Sequence, residues 1–169
     1  MKKKFALTLV SLASVALLAA CGEVSTTGNS GSASGTEIGK TLKIGFNFEE
    51  TGDVASYGTA EQKAAKLAVD EINKAGGVDG KQIEVTDKDN KSELSEASTV
   101  STNLVTQAKV NAIIGPATSG GTGAAITNAA KASVPLITPS GTQDDLTKGQ
   151  DYLFRTTFID SFQGKILSK

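Results

Sequence analysis

The stretch Asn111-Ala-Ile-Ile-Gly-Pro-Ala-Thr-Ser-Gly-Gly121 decides how the chain is read. Asn111–Gly115 is a short apolar run bounded by turn residues, the mark of a strand buried on both faces. Pro116–Gly121 is a tight, glycine-rich loop, and Ala124, Ala125, Ile126, Ala129 and Ala130 continue it as a helix of small residues. A buried strand that turns sharply into a helix is the repeating half of a parallel α/β sheet.

Outward from that stretch the same alternation recurs. In Thr41–Phe48, Leu42, Ile44, Phe46 and Phe48 share one face, which predicts a strand. Glu49–Gly58 reads as a loop, and Thr59-Ala-Glu-Gln62 fits a capping box opening a helix. Ala60, Ala64, Leu67, Ala68, Ile72 and Ala75 set that helix's expected apolar face, and Gly76-Gly77 ends it. Lys81–Asp87 predicts a second strand, and Ser92–Ala108 a helix through Leu94, Ala97, Leu104 and Ala108. Val134–Thr138 and Tyr152–Thr157 are the remaining strands. Strands and helices in strict alternation with short connections imply a doubly wound parallel sheet, a Rossmann-like lobe.

Composition narrows the chemistry. The 169 residues include no histidine and one cysteine, which disfavours imidazole catalysis, internal disulfides and cysteine-based metal clusters. Acidic and basic residues nearly balance, at 18 against 17. Loss of the first 20 residues would remove Lys2, Lys3 and Lys4 and leave 14 basic against 18 acidic groups, a surface unsuited to nucleic acid. Gly39-Lys40-Thr41 imitates the end of a phosphate-binding loop, but Ser34 stands where its first glycine belongs, and a strand follows instead of a helix. No Gly-x-Ser-x-Gly elbow is present, and Asp87 with Asp89 reads as a solvated turn. No enzyme activity, cofactor or metal is expected.

The N-terminus has its own logic. Lys2–Lys4 form a basic segment, and Phe5–Ala20 an apolar one shorter than the ~20 residues of a spanning helix, so residues 1–20 read as an export signal. Leu18-Ala19-Ala20-Cys21 resembles the bacterial lipobox, in which the cysteine is acylated and becomes the new N-terminus; the alternative is an ordinary signal peptide that happens to meet a cysteine. Residues 21–40 would then be the lipidated Cys21 and a Ser/Thr/Gly tether with a reach of ~25 Å. This places the rest of the chain on the extracytoplasmic face of the cell membrane.

Parallel sheets bind ligands beyond the carboxyl ends of their strands. The loops leaving those ends, Glu49–Gly58, Pro116–Gly121 and Thr138–Gln143, carry Tyr57, Thr118, Ser119, Ser140 and Thr142. Ser119 falls at a helix N-terminus, where free N–H groups favour an anion such as a small carboxylate. Serine and threonine are also ordinary caps and turn formers, so residue type alone leaves both readings open.

The stretches IGFNFEETGDVASYG, KAAKLAVDEINKAGGVDGKQIEV, AIIGPATSGGTGAA, VPLITPSGT and FRTTFIDSFQG, in that order, resemble the branched-chain amino acid substrate-binding proteins of ABC transporters, which have the type I periplasmic-binding-protein fold. The resemblance implies capture of an aliphatic amino acid and its delivery to the transporter's permease subunits. It implies that Ser119, beside Thr118, meets the ligand carboxylate. Ser140 would sit where a carbonyl meets the ammonium, Thr142 would meet the carboxylate, and Tyr57 would lie against the ligand. The lipobox and tether resemble the form used by Gram-positive bacteria. Residues 41–157 correspond to an incomplete N-terminal ligand-binding lobe, and residues 158–169 to the start of a second lobe cut short. Glu49 and Glu50 stand where many relatives have smaller residues and are expected at the pocket rim. The lone lobe is expected to bind its ligand weakly or not at all. A nonfunctional truncated product, or a receptor for another small amino acid, amide or acid, are the alternatives.

Overall fold

A computed structural model of the chain describes residues 38–169. The expected export signal, the expected lipidation site Cys21 and the expected tether up to residue 37 lie outside the described residues. Five strands, β1 (Leu42–Phe48), β2 (Ile83–Asp89), β3 (Ala112–Ile114), β4 (Leu136–Thr138) and β5 (Leu153–Arg155), form one sheet in the order β2-β1-β3-β4-β5. Every neighbouring pair is parallel. The order reverses between β1 and β3, the switch point at which doubly wound sheets open a crevice.

Four helices accompany the sheet: α1 (Ala55–Lys74), α2 (Leu94–Asn103), α3 (Ser119–Lys131) and α4 (Asp160–Leu167). A π-helical turn, Leu104–Ala108, extends α2. The expected helix over Ser92–Ala108 is thus two pieces. Lys109 ends them in a left-handed conformation, and the Val110 amide donates back to the Leu104 carbonyl.

Each sheet face has its own core. On one, Val100, Leu104, Ile113, Ala125, Ile126, Ala129 and Leu136 join α2 and α3 to the strands. On the other, Ile44, Phe46, Phe48 and Ile83 pack under Ala65 and Val69 of α1. Phe46 and Phe48 are fully buried and meet edge to face, with centroids 5.7 Å apart. Each contributes about 1.5–3 kcal/mol through burial. β1 is covered on both sides. Its Asn47 points away from the phenylalanines, is fully buried, and bonds the Ala97 carbonyl and the Asn90 side chain.

Helix α1 departs most from the sequence reading. It starts at Ala55 with Val54 as N-cap, so Thr59 is not a cap; its hydroxyl donates to the Ala55 carbonyl at 2.6 Å. The expected apolar face is the outer one: Ala60, Ala64, Leu67, Ala68, Ile72 and Ala75 are all exposed. The inner face runs through Gly58, Gln62, Ala65, Val69 and Asn73. Two of these are polar and are satisfied at the sheet edge. Gln62 Nε2 donates to Asp87 Oδ2 at 2.6 Å, and the Asn73 amide group exchanges two hydrogen bonds with the Ile83 backbone. Hydrophobic spacing cannot reveal a face anchored by side-chain amides.

Candidate functional site

The crevice at the switch point is built by close packing of three loops. Gly58 brings α1 against the end of β1; a Cβ there would lie 2.2 Å from the Glu49 carbonyl oxygen. Gly115 has φ +93°, and a Cβ there would lie 2.3 Å from the Asn47 carbonyl oxygen. Only glycine fits either position. The buried Thr138 hydroxyl donates to the Pro116 carbonyl at 2.7 Å and accepts from the Gly141 amide at 3.1 Å, which locks the loops after β3 and β4 together.

Glu49 belongs to the foundation, not the rim where it was expected. It is 1% exposed. Its Oε2 accepts from the Ala117 amide at 2.9 Å, and its Oε1 accepts from the Thr118 amide and hydroxyl at 3.2 and 2.8 Å. A carboxylate of the protein thus fills part of the positive end of α3. Glu50, half-buried, lies beside Asp87, Gln62 and Lys66. Its pKa is raised, first by burial and then by the negative charge of Asp87. Asp89, at the end of β2, accepts from the amides of Glu50, Thr51 and Lys91 and from the Thr51 hydroxyl. It fixes the loop that leads into α1.

These loops enclose a cleft of about 500 Å³. Tyr57, Thr118, Ser119, Ser140 and Thr142 all line it, with Val54, Ala117 and Phe158 as apolar surface. Their hydroxyls are not equivalent. Thr118 caps α3 by accepting from the Gly121 amide at 3.1 Å and donates to Glu49, so its hydroxyl is committed to the fold. Ser119 Oγ accepts from the Gln143 amide at 3.1 Å, which leaves its own proton uncommitted among the described residues. Ser140 Oγ bonds Glu61 and lies 3.1 Å from the Ala117 carbonyl. Tyr57 lines the cleft and is 63% exposed.

Residue type alone did not single out Glu61 and Arg155. Arg155 donates to the carbonyls of Gly141, Gln143 and Asp144 and so shapes the loop that carries Thr142. Among the described residues, no cluster of three His, Cys, Asp or Glu side chains could hold a metal, and no helix is long and apolar enough to cross a membrane.

A doubly wound parallel sheet whose strand ends open on a cleft lined by hydroxyls is the arrangement in which such folds place their crevice. The chain belongs to the periplasmic binding protein family, whose model matches residues 41–165. It is 34% identical over 140 residues to the leucine-, isoleucine-, valine-, threonine- and alanine-binding protein of Pseudomonas aeruginosa, a match covering 82% of this chain and 37% of that protein. Among solved structures, it is similar to the branched-chain amino acid transporter substrate-binding protein LivJ of Streptococcus pneumoniae in complex with isoleucine. That match has 75% identity and a TM-score of 0.75, and covers 76% of this chain and 37% of the other. A solute-binding protein of an ABC transporter from Rhodopseudomonas palustris, in complex with 3,4-dihydroxybenzoic acid, matches with 33% identity and a TM-score of 0.66, covering 72% of this chain and 33% of the other. The chain therefore spans about a third of the length of these relatives.

Proposed function

We propose that this chain is the ligand-gripping N-terminal lobe of an extracytoplasmic receptor that captures branched-chain amino acids for an ABC transporter permease and catalyses no reaction. The observation that carries the reading is the convergence of Tyr57, Ser119, Ser140 and Thr142 on one cleft. There the Ser119 hydroxyl proton and the first turn of α3 suit a carboxylate. The isoleucine complex of the similar LivJ structure supports an aliphatic ligand. Thr118 serves this site by holding α3 in place. Residues 41–157 form the lobe, and residues 158–169 open a second lobe whose first helix is α4. Cys21, acylated after removal of residues 1–20, anchors the receptor to the cell membrane through the tether, as in Gram-positive bacteria. Loss of membrane attachment in Cys21→Ala, followed with an alkynyl fatty acid label, tests the anchor.

The dihydroxybenzoate-bound relative favours a second reading, a receptor for a small acid without an ammonium group. NMR titration of the chain with leucine, isoleucine, valine, aspartate, lysine and 3,4-dihydroxybenzoate separates the two. The aliphatic amino acids are expected to bind weakly, because the lining side chains Tyr57 and Phe158 are themselves exposed to water. A response to dihydroxybenzoate alone would replace the amino-acid reading with the second one.

A further inference from the structure

Glu61 follows Tyr57 by one turn of α1 and reaches beneath the cleft. One carboxylate oxygen, Oε1, is hydrogen-bonded to Ser140 Oγ. The other, Oε2, is shielded from solvent and has no hydrogen-bond partner among the described residues. Ser140 Oγ has a second neighbour, the Ala117 carbonyl oxygen at 3.1 Å.

A serine hydroxyl has one proton and two lone pairs. With Glu61 ionised, both neighbours are acceptors, and one of them takes the proton. With Glu61 protonated, its O–H donates to Ser140, and the Ser140 proton turns to the Ala117 carbonyl. In either state the proton is spent inside the protein, and a lone pair remains for the cleft. Ser119 has the opposite polarity: it accepts from Gln143 and retains a proton to give. The cleft is therefore electrically directional, with an acceptor at Ser140 and a donor at Ser119.

We propose that Glu61 is a positioning residue that makes the Ser140 corner the ammonium end of the bound amino acid, acting through the Ser140 hydroxyl and through its own negative charge. This rests on the cleft being the amino-acid site. The charged and titratable groups near this corner are Glu49 from the end of β1, Tyr57 on α1, Asp160 at the start of α4 and Arg155 of β5, whose guanidinium is held by the Gly141, Gln143 and Asp144 carbonyls; the loop segments 116–118 and 138–142 carry none. Glu49 is already satisfied by the Ala117 and Thr118 donors. No lysine or arginine lines the cleft. Arg155 is spent on backbone carbonyls, and no lysine or arginine among the described residues acts on Glu61, so a ligand ammonium would be its complementary cation. Burial raises the Glu61 pKa; the Ser140 hydrogen bond opposes the rise, and the charge of Glu49 adds to it. A ligand ammonium would reverse the rise; a carboxylate of the same shape without an ammonium would not.

The test follows the Glu61 side-chain carboxyl by carbon-13 NMR across pH in the full chain: alone, with saturating isoleucine, and with 3-methylpentanoate, which has the same side chain and carboxylate but no ammonium. The midpoint is expected above the ordinary glutamate value in the free chain, lower with isoleucine, and not lowered by 3-methylpentanoate. Glu61→Gln is expected to weaken isoleucine binding about tenfold, in line with a charge-assisted contact, and 3-methylpentanoate binding less than twofold. If the Ser119 and Ser140 amides respond to isoleucine but the Glu61 midpoint does not fall, this inference is overturned and the cleft reading stands. If neither responds, the cleft reading fails and takes this inference with it.

Discussion

Glu49 Oε2 accepts a hydrogen bond from the Ala117 amide at 2.9 Å, tying the end of β1 to the loop after β3 across 68 positions of sequence. With the Thr118 contacts, this one side chain satisfies three buried or half-buried donors at the base of the cleft. Glu49→Ala leaves them without an acceptor. An unpaired buried donor costs about 1–3 kcal/mol, so the variant should lose about 2–4 kcal/mol of unfolding free energy in urea titrations. A loss under 1 kcal/mol would show that Glu49 is not structural.

Gly58→Ala sets two effects against each other. Alanine is favoured over glycine inside a helix by about 1 kcal/mol. The new Cβ, however, would lie 2.2 Å from the Glu49 carbonyl oxygen, a backbone atom that cannot rotate away. The clash should win, and thermal melting should show a net loss of about 2 kcal/mol or more. A gain in melting temperature would mean that α1 does not approach β1 this closely.

On α1, Leu67→Gln and Ile72→Gln should each change stability by no more than about 0.5 kcal/mol, because both side chains are exposed. Val69→Ala should cost about 1–2 kcal/mol, since Val69 packs on the Phe46 and Phe48 cluster. Chemical denaturation of the three variants ranks the two faces of the helix directly; the reverse order would restore the face expected from hydrophobic spacing.

Asp89 links stability to pH. Burial alone would raise its pKa, but the Thr51 hydroxyl and the amides of Lys91, Thr51 and Glu50 together hold it below the ordinary value. A carboxyl depressed in the folded state stabilises fully above its unfolded pKa of about 3.9, and the benefit is lost as pH falls through the folded pKa. The stability difference between wild type and Asp89→Asn should therefore be constant at neutral pH and shrink below about pH 4. Comparison with the variant is needed because Glu50 and Glu61, whose pKa values are raised, pull the wild-type profile the other way. A difference that does not change with pH would contradict the Asp89 clip.

The order of strands and helices and the meeting of Tyr57, Thr118, Ser119, Ser140 and Thr142 were legible because strand alternation, glycine turns and the rule of strand carboxyl ends are local signals. What stayed hidden depends on contacts between distant segments. Gln62 and Asn73 give α1 a polar inner face only because Asp87 and the Ile83 backbone are there to receive them. Glu49 looked like a rim residue until the Ala117 and Thr118 amides were placed around it. Glu61 and Arg155 carry no motif; their partners, Ser140 and the carbonyls of residues 141, 143 and 144, are set by the fold. Thr118 shows that residue type can find a loop at the cleft while leaving the division between structural and uncommitted hydroxyls to the hydrogen-bond network.

On the proposed function, a small zwitterion docks where the loops after β1, β3 and β4 converge. Backbone amide shifts of the chain recorded during an isoleucine titration test it most directly. Saturable shifts are expected at Tyr57, Ser119, Gly120 and residues 140–142, with none at Leu67 or Ile72. Shifts confined to the outer face of α1, or no saturable response at the cleft, would contradict it.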